Sequence, residues 1–322
     1  MSGPGTARRD RLIPLVLFAA LALAPPLAHA LGAGHWVSLL TRVMILAIVA
    51  LSLDLILGIG GLVSFGHAAF VGIGAYVAAI LLQEGAGDVL IALPLVLAAT
   101  AAYGAFAGAI SLRTQGVAFI MITLAFGQMT YFLAQALYAY GGDDGMTLTA
   151  RSTVAGLKLF ENKLAFFYIV LGVLILAYGL IRRVALSRFG RALTGCRDNP
   201  VRMASLGYDV TRIRLMAFVL SGMVAGVAGL LLANHTEFVS PAYIAWQRSG
   251  EFIFMVIIGG LGSLWGAMAG AAAFLLIEEG LSSLTEHWKA LFGPLIILFV
   301  LFTRGGVAGL AARLWPKSGG GA

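Results

Sequence analysis

Apolar stretches long enough to form membrane helices recur along the whole chain, separated by short polar or glycine-rich interruptions. A membrane span needs about 20 mostly apolar residues. Ten segments approach that length: 12–31, 36–57, 67–83, 89–111, 117–139, 164–182, 213–234, 251–262, 266–281 and 290–303. The eighth and tenth are short enough to be tilted, re-entrant or partial crossings, so the pattern predicts eight to ten transmembrane helices. The expected fold class is an all-α polytopic membrane protein with broken or re-entrant Gly-rich segments, forming a single transmembrane unit over residues 1–322.

Composition strengthens this reading. Of the 322 residues, 60% are hydrophobic and 11% charged, whereas soluble domains carry about 25% charged residues. The net charge is +7, but the basic residues do not interleave with aromatics on a polar domain, so nucleic acid is not an expected partner. Basic excess in a membrane protein concentrates in cytoplasmic loops. Arg8, Arg9 and Arg11 precede the first segment, Arg113 follows the fourth, eight arginines lie from Arg182 to Arg214, and Arg304, Arg313 and Lys317 follow the last. Ten spans place all four groups on one side. Both termini and a loop over about 183–212 are then cytoplasmic, and the loop over about 140–163 is external. The first segment has a rival reading: "RRDRLIPLVLFAALALAPPLAHA" also has the basic start, apolar run and small-x-small end of a signal peptide. The second segment begins outside in either case.

Glycine marks a second feature. "GIGGLVSFGHAAFVGIGAY" places glycines at 58, 60, 61, 66, 72 and 74, a density that disfavours one continuous helix. Non-helical backbone at membrane depth survives only where it is buried in protein or lines a cavity. Over 58–66 a broken helix and simple close packing of small residues both fit, while Gly72 and Gly74 suit packing. "GGLVSFG" (60–66) is echoed by "GGLGSLWG" (259–266), each between two hydrophobic segments. Chance recurrence in a Gly-rich chain and a parallel structural repeat both account for the echo.

No catalytic constellation is present. The histidines (His29, His35, His67, His235 and His287) lack metal-site spacing on one helix, and neither GxSxG nor GxxxxGK[ST] occurs. Any ATP and Mg therefore belong to partner subunits, and no cofactor is expected on this chain. The lone Cys196 forms no internal disulfide and reads as a small filler. Arg42 and Asp54 fall inside the second segment, about 18 Å apart along a helix, so they do not pair with each other. Both lie near segment ends, where snorkelling competes with a functional role. Glu278 and Glu279 end the ninth segment as interfacial anchors, or as a proton site if the protein works alone.

One dense polar stretch remains, "GRALTGCRDNPVRMASLGYDVTRIR" (190–214). Asn199-Pro200 is an N-cap followed by proline at the first helical position, and Gly207 suits the residue after a helix end. The intervening two turns are amphipathic, with Leu206 and Val201 or Met203 apolar and Arg202 and Ser205 polar. A short helix of this kind projecting from a membrane domain suits a groove on a partner.

Taken together, "GIGGLVSFGHAAFVGIGAY", "YGGDDGMTL" (140–148), "SRFGRALTGCRDNPVRMASLGYDV" (187–210) and "MVIIGGLGSLWGAMAGAA" (255–272) resemble, in order and spacing over about 36–310, the LivM-type permeases of branched-chain amino-acid ABC importers. The resemblance implies a non-enzymatic transport subunit of a bacterial inner membrane. It would pair with a second homologous permease, two cytoplasmic ABC ATPases and an extracytoplasmic substrate-binding protein, with lipid around it. It further implies an ATPase-coupling role for Arg191, Arg197, Asp198, Asn199, Pro200, Arg202 and Gly207. A translocation path at the broken segments is expected to involve Gly60, Gly61, Ser64, Gly66, His67, Gly259, Gly260 and Ser263. The chain departs from the Glu-Ala-Ala-x-x-x-Gly pattern of many ABC importers: Val201, Arg202 and Met203 occupy its first three positions and only Gly207 fits. Permeases for urea or short amides, and a proton-coupled carrier using Asp54 or Glu278 and Glu279, are the alternatives.

Overall fold

The computed structural model describes residues 4–30, 35–283, 287, 290–295, 299, 303 and 305–314. The expected tenth segment, 290–303, lies partly outside these residues, as do Arg304 and Lys317. Helices dominate: α1 (Pro4–Ala30), α2 (His35–Asp54), α3 (His67–Gln83), α4 (Val89–Ser111), α5 (Val117–Gln135), α6 (Lys163–Leu186), α7 (Arg188–Asp198), α8 (Pro200–Ser205), α9 (Val210–Thr236), α10 (Trp246–Gly259) and α11 (Leu264–Ser282), with a short helix over Gly306–Leu314. Among the described residues, six are long and apolar enough to cross a membrane: α2 with its extension to Ile59, α4, α5, α6, α9 and α11; Leu12–Pro26 and α3 are shorter apolar helices.

The helix starts follow local chemistry. Asp88, Asn162, Ser187, Asn199, Asp209 and Ser263 each cap a helix by accepting a hydrogen bond from a first-turn backbone amide. The core sits on α2, where every residue from Val43 to Asp54 is buried. α2 packs against α6, α9, α10 and α11, and α3 lies against α9 and α4. Small residues permit the α3–α9 approach, because a Cβ at Gly74 would meet the Gly226 carbonyl and one at Gly229 would meet the Val71 carbonyl.

One end of the bundle carries α7 and α8. The other is closed by the 136–162 connection, which is ordered rather than a bare loop. Its strand β1 (Met146–Thr147) pairs antiparallel with β2 (Phe238–Val239) just after α9. Arg151 joins it to Glu237 at 2.6 Å, and Asn234 accepts from the Ser152 amide at 2.7 Å. Asp88 accepts from the Ala155 and Gly156 amides.

Candidate translocation and coupling site

The glycine cluster is a true interruption. α2 passes into a π-helical turn over Leu55–Ile59, and regular helix resumes only at His67. Between them the chain doubles back into the bundle. The His67 ring meets the Ser52 hydroxyl at 2.9 Å, and Ser52 lies roughly 10 Å up α2 from Ile59 at 1.5 Å per residue. The Phe65 amide donates to Thr123 Oγ1 of α5 at 3.2 Å. The Ala68 amide donates to Ser249 Oγ of α10 at 3.0 Å. α3 therefore begins inside the bundle, its first turn satisfied by side chains of other helices, as backbone away from water requires. The tautomer of His67 follows from its partner. Ser52 gives its hydroxyl proton to the Val49 carbonyl at 2.7 Å, so it accepts from Nε2–H and leaves Nδ1 unprotonated and without a partner.

The sequence echo has a geometric counterpart. In both copies a helix ends, a Gly-Gly-Leu-x-Ser turn follows, and a new helix starts. The second glycine of each pair, Gly61 and Gly260, has positive φ (+69° and +107°), a conformation that disfavours any side chain. Ser263 Oγ accepts from the Gly266 amide at 3.3 Å and Ser64 Oγ from the Gly66 amide at 3.4 Å. The two turns also touch, since a Cβ at Gly58 would collide with the backbone of Gly262. Asp54 joins them: its Oδ1 accepts from the Gly262 amide at 2.8 Å, and the residue is 0% exposed. Asp54 is thus a buried joint between the repeats, and snorkelling does not apply to it. Its Oδ2 has no hydrogen-bond partner.

The polar stretch lies directly beneath this joint. Where a loop with one short helix is expected, the chain forms two, α7 and α8. Ser187 caps α7, and its buried face is Gly190, Ala192, Leu193 and Cys196. Arg197 leaves this helix toward the membrane core. Its Nη1 donates to the Gly58 carbonyl at 2.8 Å, its stem packs on Gly61, and its other nitrogens pair with Asp198 at 3.0 Å. Leu193 packs at Gly60. Arg214 Nη2 donates to the Cys196 carbonyl at 2.8 Å, tying α7 to α9. Burial raises the Cys196 thiol above its ordinary pKa, partly offset by Arg214, which suits a filler better than a nucleophile.

α8 faces away from the bundle. Asn199 accepts from the Arg202 amide at 2.9 Å, Pro200 opens the helix, and Gly207 follows its end at φ +85°. Met203 turns back onto Gly195. Val201 is 74% and Leu206 67% exposed, and Arg191, Asp198 and Arg202 are exposed beside them. Of the residues expected to contact an ATPase, Arg197 thus reaches inward to the helix break while Arg202 points outward.

At the opposite end, a cavity of about 420 Å³ opens between α2, α9, α10 and α11. Its rim carries Arg42 paired with Glu278 at 3.6 Å and Arg248 paired with Glu251 at 2.7 Å. Sequence reasoning did not single out Arg248 or Glu251. Their i,i+3 spacing at the start of an apolar helix was the available signal.

These features define a multi-pass α-helical membrane protein with two interrupted helix pairs in contact and a polar helical appendage seated on the break. The chain belongs to the family described as branched-chain amino acid transport system/permease component, whose profile matches residues 36–301. It is 29% identical to the high-affinity branched-chain amino acid transport system permease protein LivM of Salmonella typhimurium, over 98% of this chain and 79% of that protein. It is 28% identical to LivM of Escherichia coli K12, over 92% and 75% of the two chains. It is also 29% identical to LivH of the same E. coli strain, over 82% and 91%. No solved structure matches the chain.

Proposed function

We propose that this chain is the permease subunit of an ATP-driven ABC importer that moves branched-chain amino acids inward across a bacterial plasma membrane. Similarity to both LivM and LivH supports a heterodimer with a second, related permease. Two cytoplasmic ATPases and an extracytoplasmic binding protein complete the assembly. The end carrying α7 and α8 is cytoplasmic, in keeping with its arginines, and the end closed by the 136–162 connection receives the binding protein.

The observation that carries the reading is the pairing of an outward face with an inward one on the same appendage. Val201, Leu206 and Arg202 are presented to a partner, while Arg197 holds the Gly58 carbonyl at the helix break. Movement of α8 on an ATPase is thereby passed to the turns joined by Asp54. The broken segments at Gly60, Gly61, Ser64, Gly66 and His67, and at Gly259, Gly260 and Ser263, line the inner end of the translocation path.

Co-purification from mild detergent tests the assembly. A second permease and ATPases should accompany the tagged chain, and the ATPases should be lost when the outward residues of 190–214 are altered. A lone protein that carries leucine into liposomes under a proton gradient would overturn the proposal.

A further inference from the structure

We propose that the cavity between α2, α9, α10 and α11 is a holding site for a zwitterionic amino acid on its way through this subunit, an inference that rests on the amino-acid importer reading above. The charge inventory of the rim points to the ligand class. Arg42 and Arg248 supply two positive charges, Glu251 and Glu278 two negative ones, and Glu278 lies within electrostatic reach of the other three. A rim that balances its own charge disfavours a net anion or a net cation, yet it offers separate partners for an α-carboxylate and an α-ammonium. An uncharged urea or short amide carries no ionic group to match these rim partners.

The deeper wall is apolar, with Leu46, Val71, Leu232, Phe252, Met255 and Phe274, and suits a branched aliphatic side chain. The volume, about 420 Å³, lies in the usual range for small-molecule sites, about 300–1,000 Å³. Of the two rim pairs, Arg42–Glu278 is the looser. Arg42 and Glu278 stand at 3.6 Å, and the side chains of Arg42 and Arg248 are each 36% exposed. The long Arg42–Glu278 contact is one that a ligand carboxylate can replace at the guanidinium while Glu278 receives the ammonium. The same pair ties α2 to α11, so occupancy by substrate would loosen that tie at one end of both broken helix pairs.

The test uses the complete complex in proteoliposomes, with [³H]leucine as probe, in two measurements: direct binding without the binding protein, and ATP-driven uptake with it. Glu278→Gln and Arg248→Gln should each weaken direct leucine binding at least about tenfold, the loss expected for one charge-assisted contact. Complex assembly, read by co-purification of the partner subunits, should be retained. The charge swap Arg42→Glu with Glu278→Arg separates binding from scaffolding, because it rebuilds the helix tie with the two charges exchanged. It should keep assembly and leave leucine binding at least about tenfold weak. Leucine binding at the wild-type level in the swap or in either single variant would overturn the site. Wild-type complex that takes up no leucine would instead sink the importer reading itself.

Discussion

Asp54 is the most informative single position, because two substitutions there separate a joint from a proton carrier. Its Oδ1 accepts from the Gly262 amide at 2.8 Å and no part of the residue is exposed. Gly58 packs so tightly here that even a methyl group on it would overlap both Asp54 Oδ1 and the Gly262 backbone. Asp54→Ala therefore strands a buried backbone N–H, at a cost of about 1–3 kcal/mol. If that bond holds the two glycine turns together, the loss is a factor of about 5–150 in the equilibrium between joined and parted turns. Asp54→Asn keeps the acceptor oxygen and puts an amide where Oδ2 has no partner. Loss of the buried carboxyl offsets the cost of leaving the new amide unpaired, so its net effect should stay below about 1 kcal/mol. The assay is ATP-driven leucine uptake beside thermal denaturation of the purified complex. The alanine variant should lose thermal stability and couple ATP hydrolysis poorly to uptake, whereas the asparagine variant should resemble the wild type. An asparagine variant that assembles and melts normally but no longer transports would refute the joint and identify Asp54 as a proton site.

Other predictions address separate links. Arg197→Ala should leave the ATPases bound but uncouple them, with hydrolysis continuing while uptake falls, as read in paired ATPase and uptake assays on one preparation. Leu206→Asp with Val201→Asp should abolish ATPase co-purification without reducing the amount of permease in the membrane, and Arg202→Glu should do so partially. Gly229→Val forces side-chain atoms into the Val71 carbonyl, and overpacking of this kind costs about 1–3 kcal/mol or more, so the complex should melt earlier. The Asp88 carboxyl is held below its ordinary pKa of 3.8, chiefly by the Leu90 amide and then by those of Ala155 and Gly156. Its folded value being depressed, this anchorage is complete above pH 3.8 and is lost as pH falls through the lower folded value. Pepsin should accordingly cut near 153–157 in strong acid, and in Asp88→Ala at higher pH than in the wild type.

What the chain discloses of itself divides along physical lines. Hydrophobic length and capping residues are local properties, so the apolar helices and the capped helix after Asn199 were legible, whereas glycine density over 58–66 left a broken helix and close packing both open. The echo of Gly-Gly-Leu-x-Ser was legible as a pattern, but its meaning depends on backbone conformation, which φ at Gly61 and Gly260 supplies. α7 was read as part of a loop because its apolar face is only four residues wide and sits among arginines. The inward turn of Arg197 could not be read, since its acceptor lies 139 residues away. Asp54 was ambiguous for the same reason: a charge near a segment end suits either snorkelling or burial until Gly262 is placed beside it. The rim of the cavity at the end opposite α7 and α8 draws on α2, α10 and α11, and no window of sequence holds those pieces together.

The Ala68–Ser249 hydrogen bond spans 181 residues, and this has a consequence for how the protein is made. Ribosomal synthesis delivers α2 and α3 long before α10. Until then, a start of α3 placed within the hydrocarbon would hold an amide lacking its hydroxyl partner, and each such unsatisfied group in lipid costs several kcal/mol. The nascent chain must therefore keep this region near water, within the insertion machinery or at the membrane surface, and draw it inward when α10 arrives. The first glycine turn is among the earliest parts of the protein to be synthesised and among the last to reach its final depth. A chain halted before residue 249 would present an unfinished early helix to cellular quality control.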